Sequence, residues 1–173
     1  MTLRRVGIIA GALFIGLALQ TAFLGRFAIL GAKPEVLLLI VVAVAMTEGP
    51  TVGLVTGFAA GLMTDSLTDL PDGLTAFVFM AAGLAVGTIR PMFQRPSAWL
   101  PAAMVGATTA LALALAALLG ALLGVFAGTF LRTLVRIILA AVYGMVLTPF
   151  LYPLLTRAMV RQRQVLGSVV VRR

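Results

Sequence analysis

Apolar residues fill this chain in long blocks, and the rare polar, glycine and proline positions divide those blocks into elements. The run "VGIIAGALFIGLALQTAFLG", which follows Arg4 and Arg5, has the length of about 20 residues that crosses a bilayer core. Its basic head resembles a secretory signal, but Gln20 precedes Thr21 and Ala22 where a cleavage site needs a small residue. A retained first helix is therefore expected. The amphipathic link "RFAILGAKPE" follows, and its Pro34 stops one helix and suits the first turn of the next. Residues 36–46 and 51–63 are each short for a span, yet with the turn between them they are too long for one straight helix. The turn "TEGP" predicts a hairpin: Glu48 is costly at mid-membrane, Gly49 ends helices and Pro50 begins them. Residues 74–89 predict a fourth helix, closed by "RPMFQRPS". Residues 98–155 must hold two more, with a turn around residues 120–128.

Composition agrees with that pattern. Of 173 residues, 62% are hydrophobic and 10% charged, with a mean hydropathy of +1.16, whereas soluble domains carry about 25% charged residues. The reading is an integral membrane protein. The net charge of +8 sits at the ends of apolar runs, which favours anionic lipids rather than nucleic acid as its partner. There is no cysteine and no histidine, so thiolate chemistry, Cys-ligated metals and a neutral-pH proton shuttle are excluded, and no metal or cofactor is expected.

Basic residues then orient the spans. With the N-terminus inside, Arg4, Arg5, Arg90, Arg95, Arg157, Arg161, Arg163, Arg172 and Arg173 are cytoplasmic, while Arg26, Lys33, Arg132 and Arg136 are outside. That asymmetry favours an all-α, polytopic protein of six transmembrane helices in one compact bundle, with both termini cytoplasmic. Merging the second and third helices would place Arg90 and Arg95 outside. Residues 1–157 form a single transmembrane domain and residues 158–173 a short basic tail.

Within the spans the candidate residues are few. Gly53, Gly57 and Gly61 recur every fourth position and lead to Asp65, and Gly83 and Gly87 repeat the spacing in the next run. Such small residues leave a groove through which helix backbones approach closely. The loop "TDSLTDLPDG" adds Asp69 and Asp72, either of which suits an ordinary solvated turn. A second series, Gly120, Gly124 and Gly128, leads to Arg132 and Arg136, though part of it also suits a bend. The two arginines share a helix face at the same outer boundary as Asp65, and charges there should face protein or water. A charge network of Asp65, Arg132, Arg136 and Glu35 is expected. In it, Asp65 bridges to one of the two arginines and closes the third helix on the sixth, or the arginines face outward to a partner or lipid headgroup. An enzyme is not expected. The serines have no histidine base, the acids cluster at a membrane surface, and mid-membrane polar groups for transport are limited to Gln20, Thr56, Thr108 and Thr109.

Residues 33–87 carry a family resemblance. Pro34-Glu35 opens an apolar helix, the glycine-rich helix ends at Asp65, and Pro71-Asp72-Gly73-Leu74 turns into the next span. These elements resemble the MreD family of bacterial rod-shape-determining membrane proteins, although Asp72 stands where that turn is often apolar. The resemblance implies a non-enzymatic, multi-pass protein of the bacterial cytoplasmic membrane, within the cell-elongation machinery. It also implies binding to the bitopic protein MreC and, with it, to a SEDS glycosyltransferase and a class B penicillin-binding protein that synthesise peptidoglycan. The rival reading is the substrate-binding subunit of an energy-coupling-factor vitamin transporter, kept open by the alanine-rich "ALALALAALLGALLG".

Overall fold

The computed structural model describes residues 3–22, 35–67, 73–92, 99–124 and 129–170. They form six α-helices: α1 (Leu3–Ala22), α2 (Val36–Glu48), α3 (Pro50–Asp65), α4 (Leu74–Ile89), α5 (Leu100–Leu122) and α6 (Phe130–Val170). A single 3-10 turn (Arg90–Met92) follows α4. Four stretches are long and apolar enough to cross a membrane: Arg5–Ala22 in α1, Leu74–Met92 made of α4 and its 3-10 turn, Leu100–Leu122 (α5) and Phe130–Leu154 in α6. The predicted link at residues 26–35 lies almost wholly outside the described residues, as do Lys33, Asp69, Asp72, Arg95 and Gly128.

The break between α2 and α3 is local in origin. Gly49 adopts φ 98° and ψ −175°, a region essentially confined to glycine, and Pro50 follows as the first residue of α3. The two helices are therefore separate, at 13 and 16 residues. At 1.5 Å per residue α2 is about 20 Å long, short of a bilayer core.

The position of α2 in the bundle makes that length tolerable. It packs against all five other helices. Leu37, Leu38, Val41, Val42, Val44 and Ala45 are fully buried. A helix that is apolar on every side needs such a position, and protein rather than lipid surrounds most of its backbone.

Around α2 the helices alternate in direction. Arg5 near the start of α1 meets Glu48 at the end of α2, and Arg90 just after α4 reaches Thr47. At the opposite end Gln20 of α1 meets the start of α2, and Asp65 of α3 meets the start of α4. α5 ends at Leu122, and Gly124, in the left-handed region at φ 69°, follows it, so this member of the second glycine series serves a bend. Gly120 remains helical and buried. α6 continues to Val170, 41 residues or about 60 Å, so most of the expected basic tail is a helical extension.

Candidate functional site

The α3–α4 hairpin concentrates the sequence candidates. It is the most extensive helix pair in the structure, and five glycines line its contact. A Cβ added at Gly53 would lie 2.6 Å from the Gly83 carbonyl oxygen and 2.6 Å from the Ala45 Cβ. One added at Gly83 would strike the Gly53 carbonyl in return. At Gly57 the obstacle is the Phe79 carbonyl, at Gly61 the Ala76 backbone, and at Gly87 the backbone of Pro50 and Gly49. The packing thus brings backbone onto backbone along the whole hairpin. The opposite surface presents Val55, Phe58, Leu62, Phe77 and Leu84, all exposed, as an apolar outer face.

Asp65 closes the hairpin at one end. It is 2% exposed, and its carboxylate accepts three backbone N–H groups of the α4 start: Gly73 to Oδ2 at 2.9 Å, Thr75 to Oδ1 at 3.1 Å and Ala76 to Oδ2 at 3.1 Å. The N-cap residue of α4 is Gly73, which has no side chain to do this itself. The first N–H groups of a helix have no intrahelical partner, and an acidic acceptor there also complements the helix dipole. Asp65 is a cap supplied from the neighbouring helix.

Gln20 repeats the device on α2. Its Oε1 accepts the Leu37 N–H at 3.2 Å, and its Nε2 donates to Glu35 Oε2 at 3.3 Å. Glu35, the N-cap residue of α2, makes no capping bond with its own side chain. In both cases the residue at the end of one helix satisfies the start of the next antiparallel helix. The capping role of Gln20 escapes sequence reading because its partner is a backbone group 17 positions away.

The four expected charge-network residues have these surroundings. Glu35 joins Gln20, and Asp65 joins α4. Arg132 and Arg136 stand on an exposed face of α6, a helix that lies mainly against α5 and α2. The helix that Asp65 visibly fastens to α3 is α4. At the opposite end of the bundle, Arg5 pairs with Glu48 at 3.2 Å and Arg90 donates to the Thr47 carbonyl at 3.2 Å, tying α1 and the end of α4 to the end of α2. Among the described residues no three acidic side chains meet as a metal site would require.

The family model described as rod shape-determining protein MreD matches residues 4–158. The chain belongs to the MreD family. No curated protein and no solved structure matches it significantly. The MreD match takes in all five hairpin glycines, Asp65, Gln20, Glu35, Arg132 and Arg136, so the close-packed hairpin and both inter-helix caps lie within the family region. Family membership suggests a role in rod shape determination and, with the long apolar helices, a place in the membrane.

Proposed function

We propose that this chain is a non-enzymatic component of the bacterial cell-elongation machinery, which binds an MreC-like bitopic protein and helps organise peptidoglycan synthesis by a SEDS glycosyltransferase and a class B penicillin-binding protein. The observation that carries the reading is the family match over residues 4–158. A closed apolar centre at α2 and an exposed apolar face on the α3–α4 hairpin suit a body that docks other membrane helices. The same match favours this reading over vitamin transport. Arg132 and Arg136, exposed on α6, are the proposed contact with the extracytoplasmic part of the partner. Co-purification from detergent-solubilised membranes should recover the MreC of the same bacterium, and Arg132→Gln should lower that recovery while leaving the melting temperature in place. Failure to recover MreC with the unaltered chain would remove the reading.

In the same proposal all six helices traverse the cytoplasmic membrane region as one multi-pass bundle, with both termini cytoplasmic. Alternating helix directions and the basic residues Arg5 and Arg90 at one end support this orientation. The natural absence of cysteine allows a clean test at Ser66, which is exposed just after α3. A Ser66→Cys variant should react with a membrane-impermeant maleimide from the extracytoplasmic side. Reaction from the cytoplasmic side alone would invert the topology.

A further inference from the structure

The ring of helices around α2 is unevenly closed. α4 packs tightly on α3, and α5 on α6, but between α4 and α5 lies an open cleft of about 330 Å³. Val78, Ala85 and Ile89 line it from α4, and Met104, Ala107 and Leu115 from α5. Its lining is almost wholly apolar, without the several convergent polar groups that fix a polar small molecule. Along α4, from Val78 to Ile89, the cleft extends about 17 Å, and the same span separates Met104 from Leu115 on α5. That is about half of a 30 Å hydrocarbon core, the depth of one leaflet. A partner helix crossing the whole bilayer would need a longer seam.

The end of the cleft at Ile89 and Met104 carries markers of the headgroup level. Arg90 directly follows Ile89, is exposed, and donates one N–H to the Thr47 carbonyl out of the five N–H groups of a guanidinium. Trp99, the only tryptophan of the chain, immediately precedes α5 and is 69% exposed, and this residue type concentrates at membrane interfaces. Cleft depth, apolar lining and terminal charge complement one kind of molecule.

We propose that the α4–α5 cleft binds one acyl chain of an anionic membrane phospholipid, whose phosphate is held by Arg90. The site lies in the leaflet nearest the start of α1. It ties the looser side of the bundle to the membrane itself and makes the α4–α5 spacing depend on lipid composition.

The test uses the full chain, purified in detergent, equilibrated with mixed vesicles of phosphatidylglycerol and phosphatidylcholine, re-purified and analysed for retained lipid by native mass spectrometry. A site of this volume should retain about one phospholipid per chain. One arginine beside the phosphate should favour phosphatidylglycerol by about fivefold. Ala85→Leu with Ala107→Leu, which adds bulk at two exposed rim positions, should remove most of the retained lipid. Arg90→Gln should leave lipid bound but abolish the preference, and Arg90→Lys should keep part of it. Equal retention by the filled variant, or no headgroup preference in the unaltered chain, would overturn the proposal. Should the filled variant lose its melting transition, a photo-crosslinking residue at position 107 in native membranes decides: capture of phospholipid supports the site, and capture of a polypeptide makes the cleft a helix seam and overturns it.

Discussion

Replacing Gly57 or Gly61 by alanine should sharply lower the melting temperature of the purified protein, and replacement of either by leucine should abolish its recovery as a folded species. By intrinsic helix propensity the alanine change should stabilise a helix by about 1 kcal/mol, so the two considerations predict opposite signs. Tertiary geometry decides between them. At Gly57 the added methyl meets the carbonyl group of Phe79 and, at 3.0 Å, the Met80 Cα. At Gly61 it meets the Ala76 Cα and, at 2.5 Å, the Ala76 nitrogen. These are backbone atoms of α4 and cannot rotate away, so the two helices must separate along their whole contact. Overpacking of a close-packed interior costs about 1–3 kcal/mol, and a rigid backbone obstacle belongs at the upper end. Gly7→Ala and Gly11→Ala are the matched controls, since nothing lies within 4 Å of a Cβ at either position. Leu62→Ala, on the exposed face of α3, should also leave melting nearly unchanged. Equal melting temperatures for Gly57→Ala, Gly61→Ala and the controls would show that the hairpin tolerates separation and that close backbone approach does not hold it.

Asp65→Ala should be the most damaging change at a charged position. It leaves the N–H groups of Gly73, Thr75 and Ala76 without their acceptor in a site that is almost closed to water. Loss of a helix cap and of buried hydrogen bonds to a charged group corresponds to about 2–3 kcal/mol. Asp65→Asn should be intermediate: one oxygen still accepts, but the amide NH2 then faces donors. Gln20→Leu should cost less, about 1–2 kcal/mol, because it removes one bond from the Leu37 N–H and one longer bond to the Glu35 carboxylate, both only partly buried. The exchange Asp65→Arg with Arg136→Asp discriminates a cap from an ion pair. Backbone N–H groups cannot accept a hydrogen bond from arginine, so the exchange should not restore stability. Recovery of the melting temperature in that double variant would assign Asp65 to Arg136 instead.

Much of the chain's organisation follows from local chemistry and is legible without coordinates. Pro50 after Gly49 breaks the long apolar run, because glycine alone adopts the required backbone angles readily and proline suits the first helical turn. The helix expected over residues 74–89 has those bounds in the structure, since Gly73 and Arg90 punctuate it from both sides. The four-residue spacing of Gly53, Gly57 and Gly61 likewise marks one groove on one helix.

What that groove meets is a different kind of information. In a membrane protein the lipid and the protein interior are equally apolar, so hydropathy does not separate the side of a helix that faces lipid from the side that faces another helix. The unbroken apolar run of α2 marks it for an enclosed position, but the sequence leaves open which helices enclose it and that α4 and α5 part to form a cleft. Charge carries the same ambiguity. Counting arginines assigns ends of the bundle, but Asp65 has a like claim on any positive partner at its depth, whether a guanidinium or the start of a helix. Sequence alone determined an apolar helical protein of the MreD pattern and the positions at which its helices break and closely approach. Only the tertiary structure decided which backbones meet at those glycines and which orphan N–H groups the Asp65 carboxylate satisfies, because both depend on contacts between segments whose local sequence carries no mark of the other.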